Sequence, residues 1–186
     1  MIEIKVIGRG GQGGKTAAYI LALAAFRQGY EVQSFPEFGP EREGAPVFSY
    51  TRISKEPIKV HFGIKNPDAI IVIDPSLIYE IDILEGIKKG GKIIINSKEI
   101  PKTIAKKVPQ GCELYYVDAT RISIEFLGKN MPNTPILGAF SKVFNMLSFK
   151  MIADEFKEEF KAKLSEQSIE KNINSMKKAF DEVKRA

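Results

Sequence analysis

Side chains that bind metals or form disulfides are scarce in this sequence. It contains one cysteine, Cys112, one histidine, His61, and no tryptophan. A single cysteine cannot form an internal disulfide, and the two side chains are too few for an iron–sulfur cluster or an ordinary zinc site. We assign no chemistry to Cys112, whose thiol has no activating neighbour, and expect His61 to be a packed or rim residue of a strand. If the protein takes part in electron transfer, the clusters must lie on another chain.

Long apolar runs are also missing. No segment is long enough to cross a bilayer, and the sequence begins directly with a strand pattern instead of a basic leader followed by an apolar core. We therefore expect a soluble, cytoplasmic protein without a membrane partner. The 186 residues, 44% of them hydrophobic, are enough for one domain over residues 1–186 with an adequate core.

Positive charge is in modest excess and unevenly distributed. The net charge is +5, and residues 88–107 hold seven lysines but a single acid, Glu99. No aromatic residues are interleaved with these lysines and no nucleic-acid-binding motif accompanies them, so we expect a solvated face and no nucleic-acid partner. A docking surface for an acidic partner is the alternative.

A glycine-rich turn follows the first predicted strand. Residues 2–7 are strand-like, residues 8–16 read GRGGQGGKT, and residues 17–26 are apolar and alanine-rich. Glycines let the backbone turn tightly and approach an anion, while the N–H groups at the start of the following helix face it. The pattern predicts a site for an anionic, phosphate-bearing ligand.

The turn departs from the two common phosphate-binding motifs, the dinucleotide fingerprint and the P-loop, and this narrows the choice of ligand. Gly8, Gly10 and Gly13 fit the dinucleotide fingerprint, but the second strand, residues 31–35, ends without the carboxylate that would bind a ribose. This disfavours NAD. A P-loop would need a glycine where Arg9 stands. The alternative without a ligand is that these glycines only let a helix pack against a sheet.

The rest of the chain alternates strand and helix patterns. Short apolar runs typical of parallel strands occupy residues 69–73, 92–96 and 114–117, with helical patterns at 77–87 and 100–107 between them. We therefore expect a three-layer, Rossmann-like α/β open sheet that is mostly parallel.

Two further segments depart from that alternation. Residues 47–54 and 58–62 predict an antiparallel hairpin inserted beside the parallel strands. After residue 135 the pattern is helical to the end of the sequence. Apolar residues on one face of the last helix predict that it packs against the sheet or a partner; they are Ile169, Ile173, Met176, Phe180 and Val183.

A second unusual segment, FPEFGPEREGAP, covers residues 35–46 directly after the second strand. Ligands of open α/β sheets lie at the carboxyl ends of the strands, where this loop is expected. Arg42 stands between Glu41 and Glu43, so it could either clamp a phosphate or pair with those carboxylates. An ordinary surface loop rich in glycine and proline remains the alternative.

Three motifs that are separated in the sequence are more specific together than any one alone: GRGGQG at residues 8–13, EREGAP at 41–46 and PNTPILGA at 132–139. Together with FPE at 35–37, they resemble the gamma-subunit family of pyruvate:ferredoxin oxidoreductase and related 2-oxoacid:ferredoxin oxidoreductases. The resemblance covers essentially the whole chain. It implies a subunit that helps bind coenzyme A, with no catalytic residue or metal of its own.

The resemblance also implies the partners of such a subunit. Alpha, beta and delta subunits would carry thiamine diphosphate with Mg and the [4Fe–4S] clusters, and would convert pyruvate to acetyl-CoA and CO2 while electrons pass to ferredoxin, as in EC 1.2.7.1. An anaerobic setting would follow from the family. Branched-chain, 2-oxoglutarate or indolepyruvate enzymes are alternatives. From other classes, the alternatives are a stand-alone Rossmann-type nucleotide-binding protein and an assembly subunit whose glycines only pack.

Carried over residue by residue, the resemblance places a coenzyme A-binding turn on one set of residues: Gly8, Arg9, Gly10, Gly11, Gln12, Gly13 and Thr16. A second set comprises Glu41, Arg42 and Gly44, where Arg42 would contact either coenzyme A or a partner subunit. Asn133 and Thr134 complete the predicted site. They would cap the following helix, which is the preferred interpretation, or help close the cofactor pocket.

Overall fold

The computed structural model describes residues 1–37 and 44–186. Within them, seven strands form one sheet, in the order β2-β3-β1-β4-β5-β6-β7. The strands are β1 Ile2–Arg9, β2 Glu31–Glu37, β3 Pro46–Ser54, β4 Ala69–Val72, β5 Lys92–Asn96, β6 Glu113–Val117 and β7 Lys184–Arg185. The α-helices are α1 Gly14–Phe26, α2 Lys102–Ala105, α3 Ala119–Leu127, α4 Asn133–Val143, α5 Phe149–Phe160 and α6 Glu166–Glu182, and a 3₁₀ helix covers Pro75–Tyr79.

The centre of the sheet is parallel and its edges are antiparallel. Strands β1, β4, β5 and β6 run in parallel, β3 pairs antiparallel with both β1 and β2, and β7 pairs antiparallel with β6. Every residue of β4 is buried, as expected for a strand covered on both faces. The predicted α/β class, with a mixed and mostly parallel sheet, is confirmed.

The antiparallel pair is not the hairpin that the sequence predicted. Residues 47–54 lie in β3, but residues 58–62 form no strand, and β3 pairs with β2 and β1 instead. None of residues 58–62 is buried, and His61 is exposed outside any strand. The carbonyl oxygen of Phe62 accepts a hydrogen bond from Arg52 at 2.6 Å, so this segment covers a charged side chain of β3.

Two predicted helices are shorter than expected. Residues 77–87 form a helix only within the 3₁₀ segment Pro75–Tyr79, and residues 100–107 only within α2. Turns follow Tyr79, and at their end Gly86 has φ +74° and passes so close to Lys65 that a Cβ would lie 1.9 Å from its carbonyl oxygen. A regular helix could not make this close approach, although Ile83 and Leu84 remain buried.

Two hydrophobic clusters cover the two faces of the sheet. Alternation along β1 sends Ile4 and Val6 into the cluster that also holds residues of α1, α4, α5 and α6, while Ile7 joins the other cluster. Fully burying each such side chain contributes roughly 1.5–3 kcal/mol. The helical C-terminal region is confirmed, and α6 packs mainly on α4: a Cβ at Gly138 would lie 1.9 Å from the Met176 carbonyl oxygen. No described helix is both long and apolar enough to traverse a bilayer.

Candidate functional site

The glycine turn connects the carboxyl end of β1 to the start of α1. Gly11 and Gly13 have left-handed backbone angles, φ +84° and +78°, which side chains strongly disfavour. Gly13 is the N-cap residue of α1 and carries no side chain that could occupy the end of the helix. Lys15 is exposed in the first turn.

The positive end of α1 is open. Within residues 1–37 and 44–186, the backbone N–H groups of Gly13, Gly14, Lys15 and Thr16 have no hydrogen-bond acceptor. Ala17 makes the first helical hydrogen bond, to the carbonyl oxygen of Gly13 at 2.9 Å, and the first turn holds no acidic residue. Such an arrangement favours an anion because free N–H donors and the helix dipole act together.

The side chain of Gln12 braces this turn from within. Its Oε1 accepts a hydrogen bond from the Arg9 N–H at 2.8 Å, and its Nε2 donates to Asp74, two residues after the end of β4. The Asp74 carboxylate also accepts from the backbone N–H of Ser76 at 2.9 Å. Partial burial of Asp74 opposes its ionisation, but the hydrogen bonds from Ser76 and Gln12 prevail and hold the pKa of Asp74 below its usual value.

Arg9 links the turn to neighbouring segments. Its guanidinium donates to the carbonyl oxygen of Gly44 and to Oγ of Ser76 at 2.7 Å, and its Nε lies 3.2 Å from Asp74. A further hydrogen bond to Glu80 raises the pKa of Arg9 above its usual value. Arg9 therefore connects Gly44 and the segment after β4 to the glycine turn, with its donors directed at protein acceptors.

The start of α4 lies against the glycine turn. Asn133 and Thr134 are 4% and 2% exposed. A Cβ on Gly13 would lie 2.5 Å from Nδ2 of Asn133, so only glycine fits beside that side chain. The preferred prediction that Asn133 and Thr134 cap the helix is wrong: Pro132 is the N-cap residue and no side chain bonds to the cap. Among the described residues, Oδ1 of Asn133 has no hydrogen-bond partner.

Between these elements lies a cleft of about 430 Å³, within the range of about 300–1,000 Å³ typical of ligand pockets. The N-termini of α1 and α4 meet in it through Gly11, Gly13, Thr16, Asn133 and Thr134. Among the described residues, no acid lines the cleft, whereas Lys129 and Lys171 do. The polar residues Ser168 and Asn172 also line it. The other lining residues are apolar, and Phe156 and Phe160 among them form what we call the aromatic wall: Leu127, Met131, Phe156, Phe160 and Leu164.

The predicted site residues thus fall into three groups. The first group lines the cleft: Gly11, Gly13, Thr16, Asn133 and Thr134. The second group lies outside the lining: Gly8, Arg9, Gly10, Gln12 and Gly44. Within it, Arg9 is hydrogen-bonded to Gln12 and to Gly44. Glu41 and Arg42 lie outside the described residues. Lys129, Lys171 and the aromatic wall were missed, because no local motif marks them and they come from segments more than a hundred residues after the turn.

The second strand is longer than residues 31–35, and its end differs from the prediction that disfavoured NAD. Strand β2 extends to Glu37, so a carboxylate does close the second strand. That carboxylate accepts a hydrogen bond from the Tyr50 hydroxyl, and β3 separates β2 from β1 in the sheet. Glu37 is therefore engaged within the antiparallel part of the sheet and does not face the glycine turn as a ribose-binding acid would.

A buried charge cluster lies beneath residues 58–62. The guanidinium of Arg52, 0% exposed, donates to Glu3 at 3.0 Å and to Gln33 at 3.1 Å, and lies 5.4 Å and 5.5 Å from the ring centres of Phe35 and Phe62. These partners satisfy the buried charge. The cluster tethers the segment after β3 and is structural.

The lysine-rich segment 88–107 is partly engaged in the fold. Lys88 pairs with Asp68 at 2.9 Å and Glu3 at 3.3 Å, and Lys92 donates to the carbonyl oxygen of Val143 at 2.9 Å. The five other lysines are exposed: Lys89, Lys98, Lys102, Lys106 and Lys107. Both interpretations of this face, solvated or docking, stay predictions.

Comparison with known proteins places these features in a family. The model of the pyruvate ferredoxin/flavodoxin oxidoreductase family matches residues 3–182. The common gamma subunit of the pyruvate/ketoisovalerate oxidoreductases of Thermococcus litoralis is 42% identical over 184 residues, covering 98% of this chain and 97% of the relative. The pyruvate synthase subunit PorC of Methanothermobacter marburgensis is 39% identical, covering 99% and 98%.

A solved structure supports the same relationship. The pyruvate oxidoreductase subunit PORC of Thermotoga maritima matches with a TM-score of 0.86 and 33% identity, covering 100% of this chain and 98% of that one. The similarity therefore extends over the whole sheet and the C-terminal helices.

Proposed function

The chain belongs to the pyruvate ferredoxin/flavodoxin oxidoreductase family, and from this premise we propose that it is the gamma subunit of a cytoplasmic pyruvate:ferredoxin oxidoreductase. The resemblance inferred from the three sequence motifs is confirmed at the level of the family. In the proposed complex, alpha, beta and delta subunits bind thiamine diphosphate with Mg and the [4Fe–4S] clusters. The overall reaction converts pyruvate and coenzyme A to acetyl-CoA and CO2, and reduces ferredoxin.

The role of this chain is to hold coenzyme A. The observation that supports this role is the cleft where the N-termini of α1 and α4 converge beside Lys129 and Lys171, with no acid among its described lining residues. Free backbone N–H groups at a helix start suit a diphosphate. The carboxamide oxygen of Asn133 has no donor among the described residues, and a hydroxyl or amide N–H of coenzyme A could supply one, whereas its phosphates could not.

Binding of coenzyme A here contributes by positioning. No nucleophile or general base is assigned to this chain, because no histidine or carboxylate among the described lining residues could activate the hydroxyls of Thr16, Thr134 and Ser168, and the lysines of the cleft are exposed. Holding one reactant at a fixed place converts an encounter between two large molecules into a local event. The thiol of a bound coenzyme A would then meet the acyl donor on a partner subunit.

A second substrate assignment is favoured by one relative. The Thermococcus litoralis protein is a common subunit of pyruvate and ketoisovalerate oxidoreductases. This chain would then serve two complexes with the same coenzyme A site, while the other subunits select the 2-oxoacid. Assaying complexes purified through a tag on this chain with pyruvate and with 2-ketoisovalerate distinguishes one activity from two.

The coenzyme A role is tested in the assembled complex by reduction of a viologen dye. Thr16→Glu places a carboxylate at the open end of α1, and we expect it to raise the KM for coenzyme A at least about tenfold, or roughly 1.4 kcal/mol. Thr103→Glu makes the same change on exposed α2, outside the cleft, and is the matched control. An unchanged KM in Thr16→Glu would contradict the proposed role.

A further inference from the structure

The cleft draws positive charge from two separate sources. Two helix N-termini converge at the glycine turn, and two lysines line the cleft from separate elements. Lys129 follows the C-cap Gly128 of α3, and Lys171 lies in α6. Neither lysine has an ion-pair partner within the described residues. These are two groups of donors, one made of backbone N–H groups and one of ammonium groups.

A buried polar side chain at the helix end of the cleft is a second, separate indication of a ligand. The side chain of Asn133 is at least nine-tenths buried, lines the cleft, and has an oxygen without a partner among the described residues. A buried polar atom of this kind costs about 1–3 kcal/mol unless a partner satisfies it. Because an amide oxygen only accepts hydrogen bonds, the ligand group that completes this end carries an O–H or N–H donor, and the phosphates bind at the free backbone N–H groups beside it.

The remaining wall is aromatic. The rings of Phe156 and Phe160 lie 4.6 Å apart between centres, and both residues line the cleft with Leu127 and Leu164. Phe156 is only 3% exposed, so the surface open to a ligand comes from the partly exposed Phe160, Leu127 and Leu164. A planar heterocycle gains from such a surface by burying apolar area and by ring–ring contact. The cleft therefore combines an anion site, a pair of cations and an apolar wall.

Coenzyme A has these complementary parts at its nucleotide end. It carries a diphosphate on the ribose 5′ oxygen, a separate phosphate on the 3′ oxygen, and an adenine ring. Building on the proposed function, we infer that the nucleotide end binds in this cleft, with the diphosphate at the two helix N-termini and the 3′-phosphate beside Lys129 and Lys171. Adenine lies against the aromatic wall, and the pantetheine arm extends out of the cleft toward the partner subunits.

A consequence is that this chain makes the complex prefer coenzyme A over 3′-dephospho-coenzyme A. The preference is measured as the ratio of kcat/KM for the two acceptors in the purified complex. We expect the wild-type complex to prefer coenzyme A by at least about tenfold, because two partly solvated phosphate–ammonium pairs each contribute a modest amount. Lys129→Ala/Lys171→Ala abolishes most of that preference by raising the KM for coenzyme A alone.

The matched control removes two lysines elsewhere. Lys106→Ala/Lys107→Ala takes the same charge from an exposed segment outside the cleft, and leaves the preference unchanged. A wild-type complex without preference, or a Lys129→Ala/Lys171→Ala complex that keeps it, overturns the inference. A uniform loss with both acceptors in the lysine variant also overturns it.

Failure of the inference is distinguishable from failure of the proposed function. Thr16→Glu, at the diphosphate end, is expected to raise the KM for coenzyme A and for its 3′-dephospho form alike. If it does so while the lysine variant keeps the preference, only the assignment of the 3′-phosphate is wrong. If neither variant changes either KM, coenzyme A is not held here and the proposed function falls as well.

Discussion

The contact between Gly13 and Asn133 predicts a large, specific cost for adding one methyl group. At φ +78° an alanine is strained by roughly 1–2 kcal/mol in the left-handed region. Its Cβ would also lie 2.5 Å from Nδ2 and 2.6 Å from Cγ of Asn133, and overpacking of this kind costs about 1–3 kcal/mol. Gly13→Ala is therefore expected to lower the free energy of unfolding by roughly 2–5 kcal/mol.

The two contributions can be separated with a double-mutant cycle. Asn133→Ala removes Nδ2 and Cγ and leaves only the Asn133 Cβ, 3.1 Å from the added methyl group. In that background Gly13→Ala should cost only its backbone strain, about 1–2 kcal/mol. Urea unfolding of the four chains, followed by circular dichroism, gives the coupling energy.

Gly10→Ala is the matched control in the same turn. No atom lies within 4 Å of a Cβ at Gly10, which is exposed, so the change should stay within about 0.5 kcal/mol. Equal costs of Gly13→Ala in the wild-type and Asn133→Ala backgrounds would refute the contact between the turn and α4. So would a cost at Gly10 as large as at Gly13.

Three further predictions concern the charged and polar groups. Arg52→Ala leaves Glu3 paired only with Lys88 at 3.3 Å, takes a donor from Gln33 and the Phe62 carbonyl oxygen, and is expected to lower the free energy of unfolding by about 1–3 kcal/mol; no measurable loss in urea would contradict the cluster. Asp74 has a folded-state pKa below its unfolded value of about 3.9, so its stabilising contribution is present above that pH and lost below it. Wild-type stability should therefore fall more steeply than that of Asp74→Asn as pH drops below about 4, and parallel curves would disprove this role. Asn133→Asp sets a carboxylate toward the proposed diphosphate and should raise the KM for coenzyme A about tenfold or more, whereas Asn133→Ser should raise it less.

Local sequence patterns predicted the strands that are buried on both faces of the sheet. The isoleucine-rich runs in β4 and β5 are buried on both faces, and their composition alone is typical of parallel strands. Residues 58–62 alternate apolar and polar side chains as a half-buried strand does. They form no strand, however, and are held instead by the guanidinium of Arg52, a contact that no local sequence pattern reveals. Residues 77–87 have helical spacing, yet Gly86 requires a positive φ to pass the Lys65 carbonyl oxygen.

The candidate site could be predicted only where one continuous motif forms it. Gly11, Gly13 and Thr16 line the cleft because the strand, turn and helix are consecutive in sequence. Lys129 and Lys171 reach the same cleft only through the packing of α3, α4 and α6, which sequence spacing does not encode. Asn133 lay in a recognised motif, but its preferred role as a cap was wrong, since its side chain packs on Gly13.

The measurement that tests the central claim most directly is a structure of the assembled complex with coenzyme A bound. We expect density for the diphosphate against the N–H groups of residues 13–16, a hydroxyl or amide donor of coenzyme A facing Oδ1 of Asn133, and the nucleotide end inside the cleft of this chain. Coenzyme A density that contacts only the other subunits, with this cleft empty, would contradict it.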